Sequence, residues 1–144
     1  MYSYDYPRLM LTVDAAVYRQ QNNQFSILLI KRKNNPFINH WALPGGFVDM
    51  EETLEEAIKR ELCEETSLKN IDLKQFYTYG NLNRDPRGRT VSVVYYGFLK
   101  DENQFIEAGD DAKDVKWFQL NDLPFLAFDH GKIIDELNNF LQLV

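Results

Sequence analysis

Gly45-Gly46-Phe47-Val48-Asp49-Met50-Glu51-Glu52-Thr53-Leu54-Glu55-Glu56-Ala57-Ile58-Lys59-Arg60-Glu61-Leu62-Cys63-Glu64-Glu65-Thr66-Ser67-Leu68 decides how this 144-residue chain is read. Its second half predicts a helix. Thr53, with Glu56 three residues later, forms a capping box that serves the first free amides. Leu54, Ala57, Ile58, Leu62 and Leu68 recur at helical spacing and make one apolar stripe. At about 100° per residue, Glu61 and Glu65 fall near the centre of that stripe and Glu64 at its edge. Glutamate is almost never buried unpaired. The last turns of a helix disfavour negative charge, and like charges at i,i+4 repel. Several local rules broken in one place point to function. A divalent cation would relieve all of them, because carboxylates at i, i+3 and i+4 share a face and hard cations prefer oxygen. The alternative, a solvated acidic face, belongs opposite Leu54, Ile58 and Leu62.

Gly46, five residues, Glu52, seven residues, then Arg60-Glu61-Leu62-Cys63-Glu64-Glu65-Thr66-Ser67-Leu68 resembles the Nudix box. One fixed position departs: the family has glycine where this chain has Ser67, at a helix end that favours a left-handed residue. The resemblance extends over most of the chain. It implies an α+β fold, an α/β/α sandwich around a mixed sheet, with the box helix on one side and a C-terminal helix on the other. It also implies that Glu61 and Glu65, with the Gly45 carbonyl, hold metal ions. Glu64 is then a third ligand or the base that takes a proton from water. Glu52 and Arg60 pair and pin the loop to the helix. The catalytic set is thus Glu64, Glu61, Arg60 and Glu52, and the metal set Gly45, Glu61, Glu64 and Glu65. Mg2+ is the expected cation, with Mn2+ as the alternative.

Length and composition agree with one domain spanning residues 1–144 and a sizeable core. A net charge of −6 argues against a general nucleic-acid binder, whose footprint would be basic. It leaves room for a nucleotide, since bound cations reverse the local sign. The single cysteine, Cys63, forms no internal disulfide and fits a reducing, cytoplasmic setting. It lies opposite the apolar stripe with no histidine at a suggestive spacing, so a nucleophilic role is not expected. The N-terminus does not read as a secretory signal, and no apolar run approaches the roughly 20 residues of a membrane span. Tyr2, Tyr4 and Tyr6 suggest a homodimer contact, or equally a strand-lining start.

Residues 8–19 and 25–32 predict two strands joined by a turn at 21–24, the second covered on both faces. Arg32, at the end of the second strand, is either a solvated edge residue or a contact for a substrate phosphate, which its planar fork suits. Trp41, Leu43 and Phe47 read as core or cover. Pro44 leads into Gly45-Gly46, where glycine lets backbone approach a ligand. Residues 72–81 and 90–99 predict a hairpin whose tip, Arg84-Asp85-Pro86-Arg87-Gly88-Arg89, fits a type I turn. Arg84 and Arg87 are either a charged tip or phosphate and ribose contacts. With Thr90-Val91-Ser92-Val93, that tip resembles the ADP-ribose pyrophosphatase branch of the Nudix family, as does Leu126-Ala127-Phe128-Asp129-His130. Residues 100–113 form an acidic loop with Asp101, Glu102, Glu107, Asp110 and Asp111. In some family members a carboxylate of such a loop is the general base, and the sequence does not choose among these five. A short strand at 115–118 and a final helix follow. Asp129 is its candidate N-cap, and its stripe is Ile133, Ile134, Leu137, Phe140 and Leu141. His130 reads as structural, and His40 as a loop residue. Core packing is the expectation for most of Tyr77, Tyr79 and Tyr95, with base stacking as the alternative.

The reaction that follows is metal-dependent hydrolysis of a nucleoside diphosphate linked to another moiety, ADP-ribose first. Other expected substrates are an oxidised nucleoside triphosphate, a dinucleoside polyphosphate or a nucleotide sugar. The alternative from another class is a non-catalytic ADP-ribose sensor, similar to domains that precede a winged helix in some transcription regulators. The chain stops at Val144, just past the last helix, and its box acids are intact, so the enzyme is the expectation.

Overall fold

The computed structural model describes residues 1–143. Residues 12–18 are buried without interruption, which a strand achieves only when both faces of its sheet are covered. That strand, β1 (Met10–Gln21), is central. It pairs antiparallel with β2 (Gln24–Arg32) and β4 (Gly45–Phe47), and parallel with β6 (Thr90–Phe98). β3 (Trp41–Ala42) and β7 (Ala112–Gln119) add to β2, and β5 (Lys74–Tyr79) closes the other edge against β6. The result is a mixed seven-stranded sheet. The β1–β2 turn is the pair Asn22 and Asn23, both left-handed (φ 52° and 61°), as a two-residue hairpin of matching twist requires.

The alternation along β1 divides the core. Val13, Ala15 and Val17 pack with Ala57, Ile58 and Leu62 of α1 (Leu54–Thr66). Ala16 and Tyr18 pack on the other face with Ile133, Ile134 and Leu137 of α2 (His130–Leu141). This is the α/β/α sandwich. No helix among the described residues is long and apolar enough to cross a membrane.

The α1 start is as read: Thr53 Oγ1 accepts the Glu56 N–H (3.1 Å), and Glu56 Oε1 accepts the Thr53 N–H (2.9 Å). At its other end Ser67 takes the left-handed conformation of the family's glycine (φ 70°), donating its N–H to Cys63 O. Three expectations change. β7 is longer than the predicted strand, because Lys113, Asp114 and Lys116 give this edge a polar pattern that masks it. Asp129 does not cap α2 with its side chain, which is engaged instead by Arg84. Phe140 is not part of the buried stripe; it is exposed at the margin, against Phe76 and Tyr96.

Candidate active site

The sheet, α1 and the start of α2 enclose one polar cleft of about 360 Å³. Its α1 wall carries two of the box acids, Glu61 and Glu65. Glu61 and Glu65 are 8% and 3% exposed, while Glu64 points outward, so the stripe reading of the three holds. The paired glycines make this approach possible. A Cβ on Gly46 would lie 2.5 Å from Glu61 Oε1, and one on Gly45 would strike Val13 O and Asp14 Oδ1. The Gly45 N–H donates to Glu65 Oε1 at 2.7 Å.

Arg60 organises the rest. Its Nε and Nη2 grip Glu52 Oε2 and Oε1 at 2.9 and 2.6 Å, and Nη2 also donates to Phe47 O. Glu52 Oε1 accepts the Asp49 N–H, so the loop ahead of α1 is closed on the helix. The same guanidinium reaches Glu61 Oε1 (2.8 Å) and Glu64 Oε2 (3.3 Å) through Nη1. One cation thus orients two of the acids and the loop. Hydrogen bonds from Arg60 hold the Glu52 carboxyl down at about 2, and that pairing raises the arginine in turn.

A further acid arrives from the 100–111 loop. Its backbone is laced to the C-terminal end of α1: Glu107 N–H donates to Thr66 O (3.0 Å), and Ser67 Oγ to Glu107 O (3.2 Å). Gly109 passes so close that a Cβ would lie 2.5 Å from Glu64 O. This seats Asp110, left-handed at φ 53°, with a carboxylate oxygen within 4.8 Å of oxygens from Glu61 and Glu64. The three form the acidic cluster; Glu65 stands apart from it, beside Gly45. Burial pushes Glu65 up to about 9 and raises Glu61 against the pull of Arg60.

The opposite wall is cationic and aromatic. Arg32 donates Nε to Pro36 O and lies 4.9 Å from the Phe128 ring. Arg87 is held by Asp85 and sits between Phe47 (4.9 Å) and Phe128 (5.4 Å). Arg84 is different from the expectation for it. It lines the cleft, but its guanidinium is spent on Asp129, in a two-pronged pair at 2.8 and 2.9 Å, and on Ser92 Oγ at 2.7 Å. It braces α2 against β6. Tyr79 and Tyr95 are buried in the packing and Tyr77 is exposed outside the cleft, so none of them lines it.

Two floor residues were not singled out from the sequence as ligand contacts. Asp14 lies in the middle of an apolar strand, and burial pushes its carboxyl up to about 7. A lone Asp inside a buried run is a signal that could have found it. His130 opens α2. Its Nδ1 accepts the Leu43 N–H (3.0 Å), and burial lowers it to about 4, so it is neutral with its proton on Nε2. The start of α2 is also fixed by the Ala127 N–H on Trp41 O (2.8 Å). His40 is exposed in its loop, as expected, and Cys63 is outside the cleft.

The NUDIX domain family matches residues 8–137, and the chain belongs to it. The chain is 52% identical over 110 residues to the ADP-ribose pyrophosphatase of Methanocaldococcus jannaschii, covering 76% of this chain and 64% of that protein. It is 39% identical over 143 residues to the ADPR responsive transcriptional repressor NtrR of Acinetobacter baylyi, covering 94% and 57%. Among solved structures it resembles the NUDIX domain of Shewanella oneidensis NrtR complexed with ADP ribose. That likeness has a TM-score of 0.88 at 36% identity, over 96% of this chain and 94% of the other. The chain spans less than two thirds of the length of these two curated relatives.

Proposed function

We propose that this chain hydrolyses a nucleoside diphosphate linked to another moiety, with ADP-ribose as substrate and AMP and ribose 5-phosphate as products. The observation that carries this is the cleft itself: Glu61 and Glu65 line a space of about 360 Å³ together with Arg32 and Arg87, and Glu61 also belongs to an acidic cluster with Glu64 and Asp110. Likeness to the M. jannaschii pyrophosphatase supports the choice of substrate.

The residues suit a divalent cation. Three carboxylates converge near the C-terminal end of a helix, where the dipole opposes them, and Arg60 is the counter-charge of only two, Glu61 and Glu64. Glu61, Glu65 and the Gly45 carbonyl would hold Mg2+, or Mn2+ in its place, with Asp110 added to the set and Glu64 left for proton transfer rather than as a third ligand. Such a cation, when bound, neutralises diphosphate charge and makes a water acidic enough to attack. Arg32 and Arg87 bind the diphosphate oxygens and orient them toward the acids. Glu64, the exposed acid of the box, takes the proton of the attacking water on a carboxylate oxygen. The water oxygen bonds to one phosphorus as the bridging P–O bond breaks, which leaves two phosphate monoesters. Arg60 and Glu52 act through position, holding Glu61 and Glu64 in one arrangement.

A second reading has a specific observation behind it. The likeness to NtrR, an ADPR responsive repressor, favours a sensing domain that binds ADP-ribose without cleaving it. The two readings separate on turnover. With magnesium, a panel of ADP-ribose, oxidised nucleoside triphosphates, dinucleoside polyphosphates and nucleotide sugars is followed for phosphate-monoester release. Release of AMP from ADP-ribose, absent in Glu64→Gln, supports the enzyme. Tight ADP-ribose binding with no product supports the sensor.

In this reading the partner is a small nucleotide, with no nucleic acid and no membrane, and the setting is the cytoplasm. The net charge of −6 and the free Cys63 support both points. A homodimer is part of the proposal as well. Tyr2, Tyr4 and Tyr6 stand exposed, as such a contact needs, and sedimentation at working concentration tests it.

A further inference from the structure

Asp14 and His130 face each other across the floor of the cleft without bonding. Their side chains are 9% and 6% exposed, and both border the cavity. Asp14 Oδ2 and His130 Nε2 are 3.9 Å apart, too far for a direct hydrogen bond. The tautomer is settled by the Leu43 amide on Nδ1, so Nε2 presents a proton to the gap. Among the described residues Asp14 makes no side-chain hydrogen bond. An acceptor and a donor thus stand side by side at the cavity, too far apart to bond each other and close enough for one oxygen in the cavity to reach both.

The oxygen that fits must donate to a carboxylate and accept from an N–H at once. A hydroxyl, of a substrate or of water, does both; while Asp14 is ionised a phosphate oxygen cannot donate to it, and an ammonium cannot accept. The position narrows it further. Asp14 pairs across the sheet with Gly45, and a Cβ on Gly45 would lie 2.4 Å from Asp14 Oδ1. The gap is thus next to where the diphosphate would be held, which is where the sugar attached to a diphosphate carries its hydroxyls. Carboxylates recognise ribose hydroxyls in the same way in dinucleotide sites.

We infer that Asp14 and His130 form a ribose-hydroxyl subsite, with one substrate hydroxyl donating to Asp14 Oδ2 and accepting from His130 Nε2–H. This deepens the ADP-ribose reading and rests on it. Asp14 is then a specificity residue: a substrate that lacks this hydroxyl leaves both buried groups unpaired, and a site built for a hydroxyl rejects the analogue without it.

The test compares ADP-ribose with analogues lacking a single hydroxyl, at the 2′ or 3′ position of either ribose. Dissociation constants are measured by calorimetry in EDTA, and kcat/KM with magnesium, for the unmodified chain and for Asp14→Asn. One analogue is expected to bind about 10–100-fold more weakly than ADP-ribose to the unmodified chain. Asp14→Asn is expected to weaken ADP-ribose while hardly telling that analogue from it. The unmodified chain tests the point by itself if the variant folds poorly. Equal affinity for every analogue overturns the subsite and leaves the hydrolase reading standing. Discrimination that persists in Asp14→Asn, with a reduced magnesium-induced melting shift, overturns it in favour of a metal ligand. No binding and no turnover of ADP-ribose by the unmodified chain overturns both proposals.

Discussion

The two helices of the sandwich were built to one pattern and put to different uses. α2 buries Ile133, Ile134 and Leu137 against the sheet, and its stripe holds no acid. α1 buries Ala57, Ile58 and Leu62, then carries Glu61 and Glu65 into the same surface. In α2 the side chains at the interface stabilise the fold. In the last turns of α1 they oppose it, through desolvation, the helix dipole and mutual repulsion. Such a trade of stability for a charged site is the usual signature of function. The difference teaches that burial at a helix stripe is not evidence of a stabilising role until the chemistry of the buried group is known.

The sharpest attempt to break this contrast removes one charge from each of two positions on α1. Glu64→Gln and Glu61→Gln should each lower kcat on ADP-ribose by about 10²–10⁴-fold with magnesium, as loss of proton transfer or of a charged partner does. Their melting temperatures should not fall. An unchanged kcat in both would remove α1 from the chemistry. The matching change on α2 is Leu137→Ala. It should cost about 2–5 kcal/mol in urea unfolding, while activity per folded molecule is retained.

The contrast also predicts a pH dependence for metal-free protein. The Glu65 carboxyl is raised from 4.5 to about 9 by burial, so the folded state binds its proton more tightly than the unfolded state. Its contribution is full below about 4.5 and is lost as pH rises toward 9. Asp14, raised from 3.8 to about 7, acts in the same direction at lower pH. His130, lowered from 6.5 to about 4, acts oppositely, and only below 6.5. Melting in EDTA should therefore fall steadily from pH 6.5 to 9. Glu65→Gln should flatten that slope, and so should magnesium. A flat profile for the unmodified chain in EDTA would mean that Glu65 is solvated after all.

The smallest effect concerns the end of α1. Ser67 stands at φ 70°, where a side chain is strained and glycine is not. Ser67→Gly should raise stability by roughly 0.5–1 kcal/mol, the left-handed penalty less the entropy that glycine adds to the unfolded chain. No gain would mean that the Ser67 Oγ bond to Glu107 O offsets the strain.

Much of this was legible in the chain itself. The helical period from Leu54 to Leu68, the capping box at Thr53 and the acids inside the stripe all depend on residues within a few turns of one another, so local geometry is enough to reveal them. The same holds for the Asn22-Asn23 turn and the apolar run of β1. Other features were hidden because they join distant segments. Arg84 read as a charged hairpin tip or a phosphate or ribose contact, yet its guanidinium is held by Asp129, 45 residues away. β7 read as shorter than it is, since an edge strand shows solvent a polar face.

By itself the sequence determined the box helix, its out-of-place carboxylates and the doubly covered second strand, because periodicity and capping are written in consecutive residues; the α/β/α class came from the resemblance of the box to its family. Only the tertiary structure decided which loop acid joins Glu61 and Glu64. Five candidates lay within residues 100–113, and the choice of Asp110 came from backbone bonds between that loop and the end of α1. It likewise decided that Asp14 and His130 meet, through a sheet register and a helix start 116 positions apart along the chain. Pairings of that kind depend on packing between distant parts of the chain, and no local pattern encodes them.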